Sequence, residues 1–197
     1  MSTNDKLKSI NTEAALAASS ALCKMIGQPV NLRAINTSVI KSNELGSLFE
    51  REAVVAATYL PITGDVRGAA LLIFTEASAI RLAELLLKKE PGTTKKLSEL
   101  GCSALQEVGN IICGNYLTVL SNALQAKIVE HVPHFSLDMF GAIMEQVISQ
   151  FAGDAERAVV VAIEFTTAPV TFTGHLVLLF EFGQIEAVLE PERAVSG

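Results

Sequence analysis

The 197-residue sequence predicts an α+β fold: a pseudo-two-fold, duplicated arrangement in which a mixed β-sheet carries long helices packed on one face. Three observations predict it. Helix-like and strand-like segments follow one another in an order that occurs twice along the chain. Short stretches of the first half reappear in the second. Hydrophobic residues make up 50% of the chain and charged residues 18%, which gives a chain of this length a sizeable core.

Residues 4–27 have an Ala-rich helical texture, closed by Gly27 and followed by Pro29. Val30 to Ile40 (VNLRAINTSVI) reads as a strand. A short connector, NELGSLFE, leads to a second strand, Ala53 to Leu60. The turn PITGDVRG introduces a third strand, Ala69 to Phe74, and Thr75 to Lys89 is an amphipathic helix in which Glu84 and Lys88 form an i,i+4 pair. EPGTTKK (Glu90 to Lys96) breaks the pattern as a linker. Beyond it, Leu97 to Leu124 is a long helix, Ile128 to Met139 a strand and Phe140 to Phe151 a helix. Strands Ala158 to Phe165 and Val170 to Phe180 follow, and a short helical tail reaches Leu189.

The expected unit is one domain over 1–197, with related halves at 1–90 and 97–190 and a linker at 90–96. AVVAA at Ala53 matches AVVVA at Ala158, a shift of 105, while Gly68, Leu72 and Phe74 match Gly174, Leu178 and Phe180, a shift of 106. The leading helices align at a smaller shift of 98, which places Val30 over Ile128. The extra residues fall where the second half gains its helix.

Several function classes are excluded. Val108 to Ala126 is uncharged and long enough to span a bilayer. Its Asn110, Asn115, Asn122 and Gln125 amides, with Gly109 and Gly114 among them, would be costly in hydrocarbon. The N-terminal MSTNDKLKSINTE mixes both charge signs and has no signal-peptide core, so a cytoplasmic protein is expected. A net charge of −6, with no Lys/Arg cluster beyond a pair, argues against nucleic acid or an anionic membrane as partner. Cys23, Cys102 and Cys113 form no CxxC and read as reduced, small core residues. No metal of the chain's own is expected. His131 and His134 flank Val132-Pro133 in a strand, where an offset of three points them to opposite faces, and no Cys or carboxylate completes a ligand set. These two and His175 read as exposed or hydrogen-bonded. Gly64-Asp65-x-Arg67-Gly68 is a strand turn and lacks the GxxxxGK[ST] pattern of a phosphate loop.

The informative segment is helix 97–124. At about 100° per residue, Ser103, Glu107, Asn110, Gly114 and Ser121 gather on one narrow polar stripe. Ala104, Val108, Ile111, Ile112 and Val119 gather on another face and read as the stripe buried against the sheet. Gly109 and Gly114 each cost about 1 kcal/mol of helix propensity relative to Ala, which suits a close approach by another backbone or a partner.

The spacing Ser103-x3-Glu107-x2-Asn110-x22-Pro133 resembles the signature of the CheC/CheX/FliY family of chemotaxis phosphatases. LQEVGNIICGNYLTVLS is likewise similar to the family's Glu-x-x-Asn-Ile-x-x-Gly-Asn helix, which brings in Gly114 and Asn115. The resemblance implies a CheC-like fold and hydrolysis of the aspartyl phosphate of a CheY-like response regulator. It also implies that the partner supplies the acyl phosphate and its Mg²⁺, so this chain contributes positioning. Asn110 would orient the attacking water and Glu107 would contact the regulator's active-site lysine. Ser103 would support the edge of the site and Pro133 would shape the neighbouring strand.

At the shift of 98, Ser103 falls on Asp5, Glu107 on Ser9, Asn110 on Thr12 and Pro133 on Ile35. The first half thus reads as having kept the fold and lost the site, Glu13 lying near the vacancy without an Asn at i+3. The alternative is a non-catalytic module of the same fold that docks a CheD-type deamidase or a flagellar switch protein. The family includes monomers and homodimers, and the sequence does not choose between them.

Overall fold

A computed structural model describes residues 3–150, 157–167 and 170–180. In chain order the elements are α1 (Thr3–Ile26), β1 (Asn31–Lys41), a 3₁₀ turn (Ser42–Ser47), β2 (Val54–Gly64), β3 (Gly68–Thr75) and α2 (Glu76–Leu86). They continue with α3 (Glu99–Leu124), β4 (Ile128–Glu130), β5 (His134–Met139), α4 (Phe140–Ser149), β6 (Arg157–Thr167) and β7 (Val170–Phe180). The expected helical tail to Leu189 and the last residues of the helix expected to reach Phe151 lie outside the described residues.

The α+β class holds, but the sheet is not mixed: every described strand pairing is antiparallel. Its order is β1-β6-β7-β3-β2, and the outer edge of β2 takes both β4 and β5. Exchanging β1 with β4/β5, β2 with β6 and β3 with β7 turns this order into its own reverse. A two-fold axis perpendicular to the sheet therefore passes between β3 and β7, and strands related by such an axis must run antiparallel. The axis falls at the pair Leu71↔Val177, residues separated by the shift of 106 that the sequence match showed. The match of AVVAA with AVVVA is out of step with it. Ala57 pairs Ile73 and Ala158 pairs Leu179, so Ala158 is the counterpart of Ala57, not of Ala53. The two hairpins close at turns of different length, which moves the outer strand relative to the inner one.

The helices carry the symmetry more faithfully. Leu7, Ile10, Asn11, Ala14, Ala15, Ala18, Ser19 and Leu22 are buried on α1. At the shift of 98 stand Leu105, Val108, Gly109, Ile112, Cys113, Tyr116, Leu117 and Leu120, all buried on α3. The two helices pack side by side, and the Tyr116 hydroxyl donates to the Asn11 carbonyl at 3.4 Å. This stripe differs from the expected one: Ala104 and Ile111 are only half-buried, and Leu105, Tyr116 and Leu120 fill the core in their place.

Helices also cover both faces of the sheet. The first three, α1 to α3, share one core with Leu60, Leu72, Val161 and Leu178. On the other face Phe140, Ile143, Met144 and Val147 of α4, with Leu45, cover Val55, Leu71, Val177 and Leu179. The cause is visible in β3, where all residues from Gly68 to Phe74 are buried: a strand apolar on both faces needs two covers.

The linker is folded onto α2. Glu84 does not pair with Lys88; its buried carboxylate accepts the Gly92 N–H at 2.9 Å and the Thr94 N–H at 2.6 Å. These backbone bonds hold its pKa below the ordinary carboxylate value against the opposing effect of burial. None of the described helices is long and apolar enough to cross a membrane.

Candidate functional site

The placement of α3 follows from its ends and one glycine. Ser98 caps it, its hydroxyl accepting the Gly101 N–H at 3.2 Å, and Gln125 ends it in a left-handed conformation at φ 51°. Gly109 faces β2, where an added Cβ would sit 2.3 Å from Thr58 Cβ. The close approach expected of this glycine is thus intramolecular. The hydroxyl of Thr58 donates to the Leu105 carbonyl at 3.4 Å beside it.

With that face pressed on the sheet, the polar stripe turns outward. Ser103 and Glu107 are exposed and Asn110 is half-buried. Glu107 and Asn110 are one helical turn apart, about 60° around the axis. Neither side chain has a hydrogen-bond or ion-pair partner among the described residues. The neighbours are engaged. Ser103 donates to the Glu99 carbonyl at 3.0 Å, Asn115 to the Ile111 carbonyl at 2.7 Å and Thr118 to the Gly114 carbonyl at 2.8 Å. Gly114 is covered by the chain's own Glu130, whose Oε2 lies 3.0 Å from where a Cβ would stand.

Pro133 joins the site through a residue that the spacing did not single out. The Gln106 amide donates to the Pro133 carbonyl at 2.7 Å. The strand expected from Ile128 to Met139 is interrupted here. Glu130 pairs with Ile62 and His134 with Tyr59, so His131, Val132 and Pro133 stand opposite Leu60 and Pro61 in a bulge. Proline lacks the N–H that a continuous ladder would need, and the His131 N–H binds the Pro61 carbonyl instead at 3.0 Å. No periodicity signal marks Gln106 or Glu130, because each acquires its role through a contact distant in sequence.

The first half keeps this scaffold with different side chains. β1 has its own register shift between Ala34 and Asn36, at Ile35, where the second half has Pro133. Ser9 and Thr12 are exposed on α1, and together with Lys8, Glu13 and Leu16 they border a shallow depression.

The cysteines and histidines among the described residues stand apart from this stripe or have other roles. Beneath the stripe, burial and then the Glu130 carboxylate push the Cys113 thiol far above its ordinary pKa, so it stays protonated. Cys23 and Cys102 are half-buried rather than fully inside. His131 Nε2 lies 2.8 Å from Thr63 Oγ1, and the exposed His134 stacks on Tyr59 at 6.2 Å between ring centres. His175 is half-buried: its Nδ1 is buried without a partner among the described residues, its ring meets Phe49 edge-on, and burial lowers its pKa. No group of three or more potential metal ligands occurs among the described residues.

Comparison with known proteins agrees with this picture. The CheC-like family model matches residues 100–136, a segment that holds Ser103, Glu107, Asn110, Gly114 and Pro133. The CheY-P phosphatase CheC of Bacillus subtilis (strain 168) is 28% identical over 160 residues, 80% of this chain and 77% of that protein. Among solved structures, Thermotoga maritima FliY superposes with a TM-score of 0.73 at 19% identity, covering 90% of this chain and 89% of that one. A chain of the FliG–FliM complex from H. pylori gives 0.69 at 13% identity, covering 95% and 97%. A chain of the CheX–CheY–BeF₃–Mg²⁺ complex from Borrelia burgdorferi gives 0.52 at 22% identity, covering 87% and 97%. In sequence across the α3 segment and in fold across most of its length, this chain resembles the CheC/CheX/FliY family.

Proposed function

We propose that this chain hydrolyses the aspartyl phosphate of a CheY-like response regulator at a single site on α3. The observation that carries the reading is the pair Glu107 and Asn110, presented together without partners among the described residues while Ser103, Gln106, Asn115 and Thr118 around them are each hydrogen-bonded to a backbone carbonyl. Its support is the relative in Bacillus subtilis, a CheY-P phosphatase.

The chemistry asks little of this chain beyond placement. The regulator brings the acyl phosphate and, with it, Mg²⁺ to offset the charge that develops in phosphoryl transfer. Asn110 holds a water in line with the phosphorus through its amide, which adds no negative charge beside the phosphate. Glu107, one turn earlier, engages the lysine of the regulator's active site and fixes the orientation of the two proteins. The rigid attachment of α3 at Gly109 makes that positioning effective, since misplacement by about 1 Å costs on the order of 100-fold in rate.

The test follows phosphate release from CheY-like regulators labelled on aspartate, with and without this protein. Wild-type protein is expected to accelerate release, and Asn110→Ala to reduce the acceleration by roughly 100-fold. Unchanged lifetimes with wild-type protein across the regulators of the source cell would sink the reading. A second reading, docking without hydrolysis of a flagellar switch protein or a CheD-type deamidase, draws on the fold shared with a chain of the FliG–FliM complex. It predicts capture of such a partner that Asn110→Ala leaves intact.

A further inference from the structure

Two exposed apolar side chains frame the Glu107–Asn110 pair. Leu100 is 66% exposed and Val132 73% exposed, the two highest values among the large apolar residues described. Leu100 begins the stripe that continues through Ser103, Glu107 and Asn110, all within about 80° of the helix circumference, and it precedes Glu107 by about 10 Å along the axis. Val132 stands at the crest of the bulge on the neighbouring strand. It is held there from both sides: Gln106, adjacent to Glu107, binds the Pro133 carbonyl at 2.7 Å, and the His131 N–H binds the Pro61 carbonyl at 3.0 Å.

We propose that Leu100 and Val132 are apolar anchors that seat a CheY-like regulator over the Glu107–Asn110 pair, with Gln106 as the positioning residue that holds Val132. This rests on the phosphatase reading for its occupant. A phosphoryl group reaches a water on Asn110 only if the regulator's surface descends onto α3, and Leu100 and Val132 project from that same surface. Any regulator engaged by Asn110 therefore covers both. The complementary surface has a charged cleft, for the phosphate and lysine, bordered by apolar side chains. Contacts that exclude water strengthen the polar interactions they enclose.

The experiment measures binding and turnover separately. Binding uses a regulator carrying beryllofluoride and Mg²⁺ as a stable phosphoryl mimic. Leu100→Asp and Val132→Asp are each expected to weaken binding and raise KM by about tenfold or more, with little change in kcat. Gln106→Ala is expected to raise KM in the same direction and to speed hydrogen exchange at the His131 N–H. Leu16→Asp, an equally drastic change at an exposed site on α1, is expected to leave binding unaltered. Both anchor positions are exposed, so thermal melting will show whether the variants fold.

Wild-type protein that binds the regulator but releases no phosphate would end the phosphatase reading alone, and weakened binding by both anchor variants would still support the anchors. Unchanged binding by both variants, an equal loss with Leu16→Asp, or no binding by wild-type protein would overturn the inference. So would variants that only convert a dimer of this chain to monomer.

Discussion

Gly109 and Thr58 meet where α3 closes on the sheet, and a methyl on Gly109 would fall 2.3 Å from Thr58 Cβ. Gly109→Ala must lift α3 from β2 or displace Thr58, a typical overpacking cost of about 1–3 kcal/mol. Denaturant melting should show that loss, and the double variant with Thr58→Gly should lose less than the sum of the two single variants, because the clashing Cβ, methyl and hydroxyl are then all gone. A full, additive loss in the double variant would mean that the two residues do not meet in solution. At this scale the sequence was partly readable. The i,i+3 spacing of Glu107 and Asn110 placed both on one outward stripe, as the helix shows. Gly109 read as a point of close approach, but its partner proved to be a threonine of the same chain. Gln106 gave no signal because its function lies in one amide reaching the Pro133 carbonyl of another element.

Among the elements, the α2–linker unit makes its own prediction. Glu84 anchors residues 92–94 through two backbone N–H donors, and its pKa in the fold lies below its ordinary 4.5. Between the folded and unfolded values the unfolded chain binds more protons, so this contribution is complete above pH 4.5 and is lost as pH falls through the folded pKa. Glu84→Gln should therefore lower stability at neutral pH, by about 1–3 kcal/mol for replacing a buried, charge-assisted acceptor. The difference from wild-type should shrink in acid, which parallel melts at pH 7 and in progressively more acidic buffers would check. Segment composition revealed the linker as a break between helices but not its attachment, because an acid in mid-helix looks like a solvated charge until its surroundings are known. The interruption of strand 128–139 was hidden similarly. Its residues read as a continuous strand, and only the pairing with Leu60 and Pro61 shows one residue too many.

For the whole molecule, the sheet order makes the halves inseparable. β1 has its one described pairing with β6, and β3 pairs with β7 across the dyad. Pieces covering 1–90 and 97–197 should each lack native circular dichroism melting when made alone and should recover it on mixing. A cooperative transition from either piece by itself would contradict this. The repeat of elements was legible because each half must satisfy the same core, and the buried positions of α1 and α3 agree at a shift of 98. The register was not, because AVVAA and AVVVA are both simply apolar runs, and an apolar run carries no mark of where its hairpin turns.

The pairing of β1 with β6 also has a consequence in time. On the ribosome, β1 emerges well over a hundred residues before β6 (Lys41 pairs Arg157 and Asn31 pairs Thr166). At about 5–20 residues per second, the strand waits on the order of ten seconds for its neighbour. Its sequence, NLRAINTSVIK, is rich in polar residues, whereas GAALLIFT of β3 closes at once against the adjacent β2. The strand left longest without a neighbour is the one best able to remain in water during synthesis.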